Sequence, residues 1–94
     1  MKMIAHLSGT ILKITEKGII LKVNQIGYFI NLTKNTIANL TENQEVEFFT
    51  HNQIREDASD LYGFKEYNDL SFFKKLISIN GIGPKVGMEI SNIS

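Results

Sequence analysis

The sequence predicts a mainly β fold, a small five-stranded barrel followed by a short helical segment. Three observations carry that expectation. Apolar and polar residues alternate in several runs between residues 4 and 64. Turn-forming residues interrupt those runs at short intervals. After Phe64 the apolar spacing changes from the period of a strand to that of a helix.

The opening run "IAHLSGTILKIT" is rich in strand formers and broken by Gly9. A glycine inside a strand marks a bulge or a barrel corner. In "GIILKVN", Ile19, Leu21 and Val23 alternate with Ile20, Lys22 and Asn24. "QIG" follows as turn material, with Gly27 free to take positive φ. "YFINLT" then sets Tyr28, Ile30 and Leu32 against Phe29, Asn31 and Thr33, which completes a hairpin. "KNTIANLTENQ" is polar and turn-like, with one short helical turn around Ile37 and Leu40. "EVEFFTHNQI" places Val46, Phe48 and Thr50 on one face, and Glu45, Glu47, Phe49 and His51 on the other. "REDAS" interrupts and "DLYGF" resumes as a short strand. Five strands at this spacing suit a closed OB-fold barrel, and closure leaves a small chain no bare sheet edge.

The helical segment begins with "EYNDLSFFKKLISIN", where Leu70, Phe73, Leu76 and Ile77 form one stripe. Asn68 or Asp69 is placed to cap its start. "PKVGMEISNIS" is a second helix with Pro84 in its first turn, and Val86 and Ile90 spaced to share an apolar face. The expected division is a barrel over residues 1–64 and the first part of a helical domain over 65–94.

Composition narrows the function. Apolar residues make up 43% of the 94, within the globular range. Absence of cysteine excludes disulfides and cysteine-ligated metal, and fits a reducing interior. The N-terminus has no long apolar core of a signal peptide, and no run reaches membrane-spanning length. Ten basic and ten acidic side chains cancel, and Arg55 is the single arginine. Zero net charge argues against strong non-specific nucleic-acid binding, so any such role depends on where the charges sit. No catalytic triad, metal cluster or nucleotide-binding loop appears. Gly81-Ile82-Gly83 lacks the second half of a P-loop. The expectation is a non-catalytic protein without metal or cofactor.

Two stretches carry chemistry. In "NGIGPK", Asn80, Gly81, Ile82, Gly83 and Lys85 join the two helices. Glycines allow a tight turn and close approach of a ligand to the backbone. The first amides of the second helix have no partners within it, and its dipole adds positive character there. Such a turn can hold a phosphate, with Lys85 adding a full charge. Ile82 can anchor the turn, and Gly87 is small where the helices would cross. An ordinary helical hairpin with a glycine cap would need only Gly81. The second glycine, Pro84 and Lys85 favour the phosphate grip of a helix-hairpin-helix motif. The second stretch is "IREDAS", which puts Glu56 and Asp57 side by side on an exposed hairpin tip. Sequence physics alone reads that pair as a solvated turn.

Taken together, "THNQIREDASDLYGF" and "FFKKLISINGIGPKVGMEI" closely resemble the RuvA family of bacterial Holliday-junction-binding proteins. "MIAHLSGTI", shifted by the extra Met1 and Lys2, and "IGYFINL" are also similar, so the resemblance covers the whole chain. It implies an OB-fold first domain and a second domain with two helix-hairpin-helix motifs that grip DNA backbones. It also implies a third domain that binds the RuvB motor ATPase. Subunits of the family form a flat homotetramer that holds an open four-way junction in the bacterial cytoplasm, at the nucleoid. The resemblance makes Glu56 and Asp57 the acidic pin, which would repel phosphates at the crossover. Against that pattern the chain reads as an N-terminal fragment, without the second motif or the third domain. The opening is also less basic than in members with arginines there, since His6 and Ser8 stand in this chain. Lysines such as Lys85, Lys74, Lys75 and Lys13 would then supply the DNA-facing charge. Two other functions fit less of the pattern. One is a generic OB and helix-hairpin-helix module, whose Phe49, Tyr62 and Phe64 would stack bases. The other is a tetramerisation core that no longer binds DNA.

Overall fold

Alternation decides which side of each strand faces inward, and the structure follows it closely. The computed structural model describes residues 3–93; Met1 and Lys2, noted above as an extension, lie outside them, as does Ser94. The strands are β1 (His6–Ile14), β2 (Gly18–Val23), β3 (Ile26–Asn31), β4 (Glu45–Ile54) and β5 (Ser59–Phe64). The helices are α1 (Lys34–Ile37), α2 (Tyr67–Ile77) and α3 (Pro84–Ile93). The strands close into a barrel in the order β1-β2-β3-β5-β4, with β4 returning to pair with β1. All pairings are antiparallel except β3 with β5. This is the mainly β, OB-type barrel that the sequence predicts. No helix among the described residues is long and apolar enough to cross a membrane.

The barrel interior is filled by Ile11, Ile19, Leu21, Ile30 and Phe48, all fully buried, with Leu7, Leu32, Leu40 and Leu61 around them. Thr50 also points inward. Its amide donates to the Ala5 carbonyl and its hydroxyl to the Ile4 carbonyl, so its burial leaves no polar group unpaired. The parallel seam is the shortest one, Ile30 opposite Leu61 and Asn31 opposite Tyr62. There the Asn31 side-chain amide donates to the Leu61 carbonyl at 2.9 Å and extends the ladder.

Three local expectations within the barrel need correction. Gly27 does not take positive φ. It pairs with Lys22 inside the β2–β3 ladder, and Asn24 turns the chain at φ 58°. Asparagine tolerates that conformation by bonding locally, so it replaces glycine here. The β1 bulge lies between Ile11 and Lys13, not at Gly9. Gly9 serves a close approach instead, because a Cβ there would sit 2.1 Å from the Lys22 carbonyl oxygen. The short helix between β3 and β4 starts earlier than Ile37, because Thr33 caps it by accepting the Thr36 amide.

A second, smaller core lies outside the barrel. Phe64, Leu70 and Phe73 are buried together, with Phe49, Tyr62, Ile77 and Met88 packed against them. Residues on β4 and β5 that face away from the barrel interior therefore meet α2. Helix α2 is capped at Glu66 without a side-chain hydrogen bond, so neither Asn68 nor Asp69 caps it. Helix α3 turns Gly87 and Met88 inward rather than Val86, which is 44% exposed. A Cβ on Gly87 would lie 3.0 Å from both Ile77 Cγ2 and Phe73 Cε1, so the helices cross closely at that position. Asn35 fixes the far end of α3. Its amide donates to Asn92 Oδ1 at 2.8 Å, and its Nδ2 donates to the Asn92 carbonyl at 2.7 Å.

Candidate nucleic-acid interface

The turn between α2 and α3 is built from its hydrogen bonds upward. The amides of Ser78 and Ile79 donate to the Lys75 and Leu76 carbonyls, which ends α2 in tight turns. The Ser78 hydroxyl also donates to the Lys75 carbonyl at 2.6 Å. The Ile82 amide then donates to the Ile79 carbonyl at 3.1 Å. Gly81 sits at φ +88°, a conformation that any other residue would adopt only under strain. Gly83 opens α3, since its carbonyl accepts the Gly87 amide at 2.9 Å. Pro84 has no N–H, so the amides without acceptors in this helix end belong to Lys85 and Val86. A Cβ on Gly81 or Gly83 would meet no atom within 4 Å, so the approach to this backbone is open. Asn80 and Lys85 are exposed, whereas Ile82 is half-buried. All five residues named from the sequence therefore share one turn.

The acidic pair lies elsewhere, at the tip of the β4–β5 hairpin. Ile54 and Ser59 are the last paired residues, and the Arg55 amide donates to the Ala58 carbonyl at 2.8 Å to close the loop. Glu56 and Asp57 occupy the tip and are exposed. Just below them Arg55 Nη2 meets Asp60 Oδ2 at 2.8 Å. The only arginine is thus engaged across the hairpin rather than with Glu56 or Asp57. Neither tip carboxylate forms an ion pair among the described residues, so both present their charge to solvent.

The two features share a support. Phe73 of α2 packs its ring against Phe64 at 5.1 Å, Tyr62 at 5.5 Å and His51 at 5.7 Å, all on the hairpin that carries the acidic tip. The rings of Phe49, Tyr62 and Phe64 are therefore engaged with α2, which opposes the use of all three as base-stacking platforms. Burial raises the Tyr62 pKa above its usual 10.0, the Asp60 carboxylate adds to this, and Arg55 opposes it. His51 Nε2 lies 2.9 Å from Gln53 Oε1 on the same strand.

A groove of about 690 Å³ runs beside α3 and brings Lys85 into line with Lys17 and Lys34. Asp60 and Tyr62, at the base of the acidic hairpin, line the same groove. Lys17 and Lys34 were not singled out from the sequence. Lys17 lies in the β1–β2 turn and Lys34 opens α1, with no motif around either, and only the closed barrel brings them beside α3. Of the lysines that were named, Lys13 pairs loosely with Glu42 at 3.9 Å. Lys74 and Lys75 are exposed in the last turn of α2. His6 bonds Glu47 at 2.9 Å and its ring meets Phe49 at 5.4 Å, so it belongs to the barrel surface beside α2.

Comparison with known proteins agrees with this architecture. Residues 3–63 match the family described as the RuvA N terminal domain. A protein named Holliday junction branch migration complex subunit RuvA from Streptococcus pneumoniae is 41% identical over 88 residues, covering 94% of this chain and 45% of its own length. The proteins of that name from Maridesulfovibrio salexigens and Acinetobacter baumannii are 43% and 38% identical, over 94% of this chain and 44% of their own lengths. The chain thus spans less than half the length of the curated relatives it matches. With the barrel matched almost from end to end, this chain belongs to the RuvA N-terminal domain family.

Proposed function

We propose that this chain binds four-way junction DNA as a non-catalytic subunit and holds the junction open for branch migration. Residues 1–64 form the barrel domain in this reading, and 65–94 begin the helical domain. Asn80, Gly81, Ile82, Gly83 and Lys85 grip one phosphate through backbone amides and one ammonium. Glu56 and Asp57 act as the pin, and four copies around the crossover would repel phosphates and keep the strands apart. Contacts of this kind fix position without reading sequence. Work by the RuvB motor, and its docking, are assigned to the part of the relatives beyond this match. The setting is the bacterial cytoplasm.

The observation that carries the reading is the open Gly81–Gly83 turn leading into a proline-started helix. A turn that merely joined two helices would not need both glycines to be bare of neighbours. The test is fluorescence anisotropy at low salt with a fixed four-way junction and a linear duplex of equal length. The expected result is tighter binding to the junction, and loss of most of that affinity in Lys85→Glu with the fold intact by circular dichroism. Equal binding to both DNAs would replace the proposal with a generic DNA-binding module. No binding to either would make the chain an assembly core.

A further inference from the structure

The groove beside α3 has two walls. Helix α3 forms one, with Lys85 at its start and Asn92 near its end. The barrel forms the other, from the β1–β2 turn, the end of β3 and the opening of α1. Asn35 ties the walls together through its two bonds to Asn92, which fixes their spacing at that end. Lys34 precedes Asn35 in the chain, so its backbone stands at the Asn92 end, opposite Lys85. Lys17 stands beside it, because its carbonyl accepts the Leu32 amide at 3.0 Å. From Lys85 to Asn92 the axis of α3 rises about 10 Å, and a DNA strand rises about 3.4 Å per phosphate, so the groove has the length of about three nucleotides.

The charges along the groove indicate its ligand. Lys17, Lys34 and Lys85 are exposed, and none forms an ion pair among the described residues. This holds although carboxylates line the same groove. Asp60 is taken by Arg55. Glu89 lies one turn from Lys85 on α3, but lysine before glutamate is the weaker order for an i, i+4 pair, and no bridge forms. Glu16, next to Lys17 in the turn, pairs with no lysine either. With Asp60 neutralised, three ammonium groups stand against two carboxylates, a surplus of one positive charge in a chain whose total is zero. Cations gathered from three places in the chain repel one another until an anion lies between them.

We propose that this groove holds the next phosphates of a DNA strand gripped at the Gly81–Gly83 turn, with Lys85 at its mouth and Lys34 and Lys17 taking one phosphate each further along. The inference rests on the proposed function and extends it from one phosphate to a strand path. That path runs along α3 and past Tyr62 at the base of the acidic hairpin. Contacts to phosphate alone are shared by a junction arm and a plain duplex. The groove therefore supplies affinity, and discrimination is left to the hairpin tip.

The test is the salt dependence of binding to a fixed four-way junction and to a linear duplex, by anisotropy at several salt concentrations. The groove variant is Lys17→Gln with Lys34→Gln. A control, Lys22→Gln with Lys65→Gln, removes the same charge from two exposed lysines outside the groove. Loss of two phosphate contacts should flatten the slope of log affinity against log salt by about 1 to 2, and weaken binding of both DNAs about tenfold at low salt. The control should leave the slope as in the parent, and circular dichroism should be unchanged in both variants. A parent-like slope in the groove variant, with Lys85→Glu still losing most affinity, would overturn the inference and leave the proposed function standing. An equal loss in groove variant and control would also overturn it, because general charge would then explain the effect. A parent that binds neither DNA would remove the proposed function and this inference together.

Discussion

At the scale of single residues, Tyr62 links the acidic hairpin to the second core. Its ring packs on Phe73 while its hydroxyl lies near the Arg55–Asp60 pair. Burial and the Asp60 carboxylate both disfavour the phenolate, so the folded pKa lies above 10.0. The contribution of Tyr62 to stability is therefore fully present below pH 10 and is lost as pH rises through the folded value, because the unfolded chain releases its proton first. Lysines titrate in the same range, so the comparison must be made between variants. Denaturant titrations of the parent and Tyr62→Phe should give parallel stabilities up to about pH 9.5. Above that the parent should fall faster. Identical slopes through pH 11 would mean that the hydroxyl is solvated in the folded state.

At the scale of elements, two cores are joined by one wall. The outward rings of β4 and β5 are the floor on which α2 rests, and the inward side chains of the same strands belong to the barrel interior. Phe73 is the fully buried side chain of the outer core. Phe73→Ala should cost about 3–5 kcal/mol, a large share of the stability of so small a domain. The loss should fall first on α2 and α3. Hydrogen exchange in Phe73→Ala should show fast exchange across residues 67–93 and retained protection in the barrel strands. Uniform loss of protection would mean that the two cores open as one unit. Much of this arrangement was legible beforehand. The strands were, because a period of two tells the inside from the outside whenever one face is buried, as Phe48 and Ile30 illustrate. The inward face of α3 was not. Val86 with Ile90 and Gly87 with Met88 are both plausible faces, and only the close crossing at Phe73 selects the second. The Asn35–Asn92 bonds were invisible for a related reason, since a polar pair 57 residues apart leaves no periodic trace. The glycine turn and the acidic tip were legible as motifs. Their shared support on Phe73 was not, because ring contacts between elements follow from the barrel's closure.

At the scale of the whole molecule, a chain of zero net charge must discriminate by arrangement. The lysines lining the α3 groove come from the β1–β2 turn, α1 and α3, while Glu56 and Asp57 stand on the hairpin tip, where the neighbouring Arg55 is paired with Asp60 instead. Under the proposed function an uninterrupted duplex laid across several copies would bring its phosphates against those carboxylates. An open junction would leave the centre empty of phosphate. Removing the charges should therefore help the wrong ligand more than the right one. In Glu56→Gln with Asp57→Asn, duplex affinity should rise by about 3- to 10-fold, corresponding to roughly 1 kcal/mol of relieved repulsion, while junction affinity changes little. Added salt should narrow the gap between parent and variant, because it screens the repulsion that the variant lacks. Anisotropy titrations of both DNAs at two salt concentrations would measure this. An equal change for duplex and junction would reduce the pair to general surface charge, and no change for either would leave it a solvated turn. The amide forms keep the shape of the tip, so a difference between the two DNAs can be assigned to the charge itself.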